Sequence, residues 1–511
     1  MSDVSTAPPP ANRFRNAPAR ARAVLLEKRS GRAVLVAVIV IAALAVRATM
    51  YRYQSLDYNV FVSNWYAHIK SNGGFSALKD PSFSDYNVPY LYLLAIVTYI
   101  PVPALAGVKA ASIVFDLLLA FFVHRIVALR YAKNSWQPIA AMAIVLFLPT
   151  VATNSGWWAQ ADSIYSSLAV GGFYFLVRRR PWWACVFIGL ALGFKLQTIF
   201  ILPLLFVLVL CRWVPWRALL AVPAAFLLLD VPALLVGASP TELLTIYVRQ
   251  TGSYQALTLG APNIYQFLAS GETSDVLRRT GIVTTGVVLL ALTAWVTLRR
   301  TGSRPPWVGW RRPELTQNQL VLLGTASVIL VPYLLPAMHE RYFYLADAFS
   351  VLAAFHLPRR LWYVPVLVQA ASFCAYWQFL STSGDMGSGG MRPGGGGPGG
   401  GGRPGGQGGG GGRGAGGGGF PGGAPGSGGG PGSGGGPGGG GGARPAGGMG
   451  GGSSSTVSSW AVWEMRIAAV LMGLALLAVL WAAFRELRRR KAATPLPAAT
   501  GATGETGDAL T

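Results

Sequence analysis

Long apolar blocks without charge dominate this chain. Val34–Val46 holds no charged residue, and neither does Leu361–Ser383. Roughly 20 apolar residues in a helix cross the hydrocarbon core of a bilayer. Backbone at that depth must satisfy its hydrogen bonds internally, so such blocks fold as helices that pack on one another. Composition agrees: 52% of the chain is hydrophobic and 12% is charged, against about 25% charged residues in a soluble domain.

A net charge of +23 raises the question of a nucleic-acid partner, and its distribution answers it. Arg and Lys gather between the apolar blocks, at Arg13–Arg32, Arg125–Lys133, Arg178–Arg180, Arg212–Arg217, Arg299–Arg312, Arg359–Arg360 and Arg485–Lys491. These clusters fall on alternate loops, the pattern of the positive-inside rule. The basic charge therefore reports membrane orientation. Cys185, Cys211 and Cys374 lie in or beside apolar blocks without a CxxC pair, so neither a metal site nor a disulfide framework is expected. About thirty polar and basic residues precede the first apolar block, a long lead for a cleaved signal peptide. Arg32–Met50 reads as a retained anchor with a cytoplasmic N-terminus.

Hydropathy and the basic loops predict an all-α polytopic membrane protein of about 12 transmembrane helices. The expected spans are 33–50, 107–127, 138–154, 163–177, the tight pair 182–198 and 199–211, 217–236, 281–298, 319–336, 343–357, 361–380 and 461–484. A long first extracytoplasmic loop fills 51–106. The expected organisation is a cytoplasmic basic tail at 1–32, a membrane core at 33–380, a Gly-rich extracytoplasmic loop at 381–459, a last helix at 460–484 and a cytoplasmic tail at 485–511. The Gly-rich segment has no strict three-residue period, which excludes collagen. Its composition offers no apolar surface to offset ordering entropy, so it is expected to be a disordered tether.

Most of the acids fall at outer helix ends or in outer loops: Asp57, Asp80, Asp85, Asp162, Glu242, Glu272, Asp275, Glu340 and Asp347. Ionisable groups at membrane depth are costly and mark function. Three stretches concentrate them. The first runs from Leu56-Asp57-Tyr58-Asn59 through Trp65 and Tyr66 to Ser84-Asp85-Tyr86-Asn87, with Tyr90–Ile100 as a helix lying in the interface. Its aromatics suit either an anchoring belt or a surface on which sugars stack beside a proton-accepting acid. The second is Asn154–Tyr165, where Asp162-Ser163 can cap a helix or join a site. The third is Met338-His339-Glu340-Arg341-Tyr342 with Asp347 beyond it. Arg341 opposes the positive-inside bias, and its guanidinium fork can grip a phosphate. Lys195 interrupts an apolar run and can either snorkel or serve a site. Asp116, in the second span, is expected to pair within the bundle.

These stretches together resemble a known family. Asp57–Phe61, Gly74–Asp80, Tyr86–Tyr92, Trp158–Tyr165, Phe194–Gln197, Ala261–Gln266 and His339–Phe343, in that order, look like bacterial membrane proteins related to the GPI mannosyltransferases. The resemblance covers roughly residues 30–380 and not the Gly-rich segment. It implies a GT-C-like fold and an inverting glycosyltransferase, with a mannosyltransferase as the first expectation. Its donor would be a polyprenyl-phosphate-linked sugar and its acceptor an extracytoplasmic glycan, glycolipid or protein. It implies a multi-pass enzyme of the cell membrane, with no cofactor and no metal-ligating residues expected, and with its active site on the extracytoplasmic face. Asp57 matches the catalytic acid after the first helix. Asp85, Tyr86, Asp162, Lys195, His339, Glu340 and Arg341 are the expected substrate-binding residues. The rival class is a transporter or lipid-linked-sugar flippase. Such proteins show two related halves and polar sites at the midplane, and neither sign is present.

Overall fold

The computed structural model describes residues 29–252, 256–268, 275–301, 315–388 and 459–488. The expected N-terminal tail up to residue 28, Glu272, the basic cluster at 302–314, the Gly-rich stretch 389–458 and the tail from 489 lie outside the described residues.

Each of the twelve expected spans is helical. The first is α1, Arg29–Thr49. The segment after it folds into a π-turn at Tyr58–Val62, α2 at Ser63–Ser71, two short 3-10 turns and α3 at Val88–Thr98. Helix α3 covers most of the stretch expected to form an interfacial helix and is capped by Asn87, whose side chain accepts from Val88 N. Next come α4 (Ala104–Ala128), α5 (Gln137–Phe147), α6 (Pro149–Thr153), α7 (Asp162–Val177) and α8 (Pro181–Phe194). They are followed by α9 (Leu202–Leu210), α10 (Ala221–Leu235), α11 (Pro240–Gly252) and α12 (Asp275–Thr301). The chain ends with α13 (Gln317–Leu334), α14 (Tyr344–His356), the single turn α15 (Pro358–Leu361), α16 (Val364–Ser388) and α17 (Ser459–Arg488). Among the described residues 6 helices are long and apolar enough to cross a membrane, or 7 with the bent α5–α6 pair. Four further apolar helices, α3, α8, Leu196–Leu210 and α14, are shorter.

Two spans differ from their expected form, for local reasons. The span at 138–154 is broken: Gln137–Phe147 and Pro149–Trp158 meet at 51°. Pro149 removes a helical donor and forces Leu148 out of the helical region, to φ −55°, ψ 128°. The pair at 182–211 breaks at Lys195, which is extended at φ −155°, ψ 135°, four residues before the expected boundary. At the chain's far end, α16 runs past the expected 380 to Ser388, and α17 spans Ser459–Arg488.

Helix α7 is the axis of the bundle: apart from Tyr174 and Phe175, all of its side chains are buried. It packs against α4 and α8. Gly171 and Gly172 make that possible, because a Cβ at Gly171 would stand 2.7 Å from the Phe187 ring and one at Gly172 would stand 3.1 Å from the Ala184 carbonyl. Small residues at such crossings let helices approach where no hydrophobic effect drives them together. Helices α13, α14, α16 and α17 close the other side.

Candidate active site

A polar turn between α6 and α7 organises the site. Asn154–Trp158 forms a π-turn, and Ala159 then takes a left-handed conformation at φ 60°. That conformation is costly for a residue with a Cβ. It reverses the chain so that Trp158 and Gln160 point to the same acceptor. Trp158 Nε1 donates to Asp57 Oδ2 at 3.0 Å, and Gln160 Nε2 donates to the same oxygen at 2.6 Å. Arg341 Nη1 lies 3.3 Å from that oxygen. Both hydrogen bonds and the ion pair fall on Oδ2, and among the described residues no group donates to Oδ1.

Asp57 is held from its own side as well. Ser55 Oγ donates to the Trp158 carbonyl at 2.8 Å and accepts from Tyr58 N. The turn between α1 and Asp57 is gathered by one ammonium group: Lys109 Nζ donates to the carbonyls of Met50, Tyr51 and Tyr53 at 3.0, 2.9 and 2.7 Å. A cation at the C-terminal end of α1 also complements the helix dipole.

Asp162, at the start of α7, is fully buried. Its Oδ1 lies 2.5 Å from Lys195 Nζ, and its Oδ2 accepts from Asn154 Nδ2 at 2.9 Å. The break at Lys195 is what aims this ammonium inward instead of along the apolar face of a continuous helix. Lys195 also lies over the Tyr86 ring, 5.3 Å from its centroid. Tyr86 in turn donates from its hydroxyl to Gln160 Oε1 at 3.1 Å.

The His339–Arg341 loop joins α13 to α14. It is braced by a small parallel pair of strands, β1 (Thr258–Leu259) on β2 (Met338–His339). The Ala261–Gln266 motif supports the same loop, since Asn263 Nδ2 and the Tyr265 hydroxyl donate to the Leu335 and Leu334 carbonyls. Arg341 Nη1 bonds Glu340 Oε1 at 2.7 Å, and Arg341 Nε lies 3.9 Å from Asp162 Oδ2. Burial opposes ionisation of Glu340. The hydrogen bond from His339 and the charges of Arg341 and His339 outweigh it and hold the carboxyl below its ordinary range. Burial likewise opposes the Arg341 charge, but Asp57 and Glu340 hold the guanidinium protonated well beyond its usual limit.

These groups border a chamber of about 340 Å³ lined by Asp85, Tyr86, Lys195, Gln197, His339 and Arg341, and by Arg278 of α12. Of the expected residues, Tyr86, Lys195, His339 and Arg341 line it, and Asp57, Asp162 and Glu340 are ion-paired to Lys195 or Arg341 beside it. Asp85 lines the chamber but is exposed, and its contact is through the backbone, whose carbonyl accepts from Gln250 Nε2. Asp347, expected near the same mouth, is buried instead and accepts from Thr150 Oγ1 at 2.7 Å. Trp158, Gln160 and Asn154 were part of a stretch that stood out in the sequence, without individual roles. Arg278 was passed over. Its signal was the one that marked Arg341, a cation in a loop expected on the outer side.

Among the described residues no group of three or more His, Cys, Asp or Glu side chains is arranged to hold a metal ion. Asp116, as expected, pairs inside the bundle: Arg47 Nη2 and Nε each lie 2.8 Å from its Oδ2, and Ser155 and Tyr344 donate to it as well.

The all-α bundle thus carries a carboxylate-and-cation chamber near the segment that follows its first helix. Residues 83–322 match the model of Glycosyltransferase family 87, a GT-C-type membrane glycosyltransferase family. No curated protein matches the chain significantly. The matched segment contains Asp85, Tyr86, Asp162 and Lys195. Asp57 and the His339–Arg341 loop lie beyond its ends, yet His339 and Arg341 line the same chamber and Arg341 pairs with Asp57.

Proposed function

We propose that this membrane glycosyltransferase is an inverting mannosyltransferase that moves a sugar from a polyprenyl-phosphate donor to an extracytoplasmic glycan, glycolipid or protein. The observation that carries the reading is Asp57. On one oxygen it accepts from Trp158 and Gln160 and pairs with Arg341, while among the described residues its other oxygen faces no donor; Arg341 and Lys195 line the adjoining chamber.

The chemistry follows from that geometry. An acceptor hydroxyl attacks the anomeric carbon from the face opposite the phosphate. The carbon–oxygen bond to phosphate breaks, its electron pair leaves on the polyprenyl phosphate, and the hydroxyl proton passes to Asp57. The leaving phosphate is already a good anion, so fixed cations stabilise the developing charge better than an acid would. Tyr86, with its ring beside Lys195 and its hydroxyl on Gln160, offers a face for the sugar. The polar groups gather at one end of the bundle and not between two repeated halves, which favours transfer over transport.

The test is transfer by purified protein from labelled polyprenyl-phosphate sugars, mannose alongside other hexoses and pentoses, with a membrane extract as acceptor source. Labelled product with inverted anomeric configuration is expected from the mannosyl donor. Transfer only from a different sugar would overturn mannose. No transfer from any lipid-phosphate sugar by folded protein would overturn the donor class.

A further inference from the structure

Among the described residues, charge accounting in the chamber leaves one cation whose carboxylate partner is mostly exposed. Lys195 lies 2.5 Å from Asp162, and Arg341 lies 2.7 Å from Glu340 and 3.3 Å from Asp57. Arg278 is different. Its charged partner among the described residues is Asp275, 3.6 Å away and 67% exposed, and its buried Nε has no hydrogen-bond partner. A partly buried guanidinium so placed costs desolvation energy that an anion would offset.

The position of Arg278 along α12 shows what kind of anion. Ile282, one turn on, lines both the chamber and an apolar groove of about 430 Å³ between α9 and α12. Ile199 and Leu335 are shared between the same two spaces. Pro203, Leu289 and Thr293 then lie in both that groove and an apolar cavity of about 560 Å³ bounded by α9, α12, α13 and α17. One face of α12 therefore lines all three spaces, through Arg278, Ile282, Gly286, Leu289, Thr293 and Val296. Their spacing of three and four residues is the repeat of a single helix face. At about 1.5 Å per residue, this face extends roughly 27 Å from cation to far end. A charged head above a long unbranched apolar track fits a single-chain amphiphile with an anionic end.

We infer that Arg278 binds the phosphate of a polyprenyl phosphate and that the isoprenoid chain runs down the α9–α12 groove into the cavity beside α17. The inference rests on the proposed lipid-phosphate donor and adds the residue and the track that receive it. It assigns Arg341 mainly to holding Asp57 and Glu340, and Arg278 to gripping the phosphate at the point where chamber and groove meet.

Gly286 supplies a clean test, because a Cβ there meets no atom within 4 Å. Gly286→Leu should block the groove without disturbing the packing. Binding to purified full-length protein would be measured for a long-chain polyprenyl phosphate and for geranyl phosphate, with thermal unfolding as the check on folding. Arg278→Gln should weaken both ligands by about tenfold, the loss of one charge-assisted contact. Gly286→Leu should weaken the long-chain ligand by a similar factor and spare geranyl phosphate. Arg278→Gln binding both ligands within about twofold of wild type would overturn the phosphate assignment. Equal effects of Gly286→Leu on both ligands would overturn the track. Displacement of the long-chain ligand by equimolar phosphatidylglycerol would show a crevice for bulk lipid and overturn the site. Binding does not depend on turnover. Tight, Arg278-dependent binding without sugar transfer would thus count against the enzyme reading and not the site. Transfer unaffected by Arg278→Gln would do the reverse.

Discussion

Single residues divide in this site into those that react and those that aim. Asp57 carries the proposed proton transfer, and Asp57→Asn keeps its size while removing its basicity. Turnover should fall by about 10²-fold or more while labelled donor is still retained and the protein still unfolds at its usual temperature. Near wild-type transfer would disqualify Asp57 and pass the role to Asp85 or Asp162. Gln160 aims the carboxylate, through 2.6 Å to Asp57 on one side and Tyr86 on the other. Gln160→Ala should lower kcat about tenfold with KM little changed, and a rise in KM alone would show that it binds substrate instead. Arg341 bears on the pH dependence of stability through Glu340. Glu340 is held below its ordinary range against the effect of burial, by His339 and Arg341. A carboxyl depressed in the folded state stabilises the fold above its unfolded value, near 4.3. That stability is lost as pH falls through the folded value. Arg341→Ala removes one of the groups holding Glu340 down, so the acid limb of thermal stability should move to higher pH. An unchanged limb would show that Arg341 contributes nothing to Glu340 in solution.

At the scale of elements, helix positions were legible from hydropathy because a bilayer imposes one length and one polarity on every span. The departures are backbone events that hydropathy averages away. Pro149 sits inside an apolar run and breaks it, and Lys195 sits at a break that a mean over many residues smooths over. The charged residues of the site were visible because each stands out of place in apolar surroundings. Their pairings were not, because Asp57 with Trp158 and Asp162 with Lys195 are contacts between segments that only the folded bundle brings together. Asp116 shows the same limit: its burial could be expected, but Arg47 as its partner could not be read from spacing. That pair ties α1 to α4, with Ser155 and Tyr344 donating from the α6–α7 turn and α14. Breaking a buried pair by removing one partner costs about 3–5 kcal/mol, whereas replacing both by apolar groups can cost little. Arg47→Met or Asp116→Leu alone should lower the apparent unfolding temperature in detergent sharply, and the double variant should recover much of the loss. A double variant showing the full sum of the two losses would mean that the pair is not an interacting unit.

The whole molecule joins a matched family segment to flanking parts that complete its site, and its last two described helices are held to each other independently of the chain between them. Gln378 Nε2 donates to the Ala461 carbonyl at 2.9 Å and to Glu464 Oε2 at 3.0 Å, and α17 packs on both α16 and α13. Gln319 Nε2 of α13 donates to the Glu486 carbonyl near the other end of α17. Helix α17 is therefore fixed along its length by contacts within the core, and it also walls the proposed lipid track. The segment between α16 and α17 is mostly Gly, with almost no side chains able to bury apolar surface. Deleting 390–450 leaves Gly389, Gly451-Gly452-Ser453-Ser454-Ser455 and the three residues after them to bridge the two helices. The deleted protein should insert, unfold within a few degrees of wild type and retain sugar transfer. The reason is that no group assigned to the chamber or the track lies in that stretch. Loss of transfer by a deletion protein that still binds polyprenyl phosphate would give the Gly-rich segment a part in acceptor recognition. Loss of folding would mean that α17 depends on it for docking, against the contacts that hold it here.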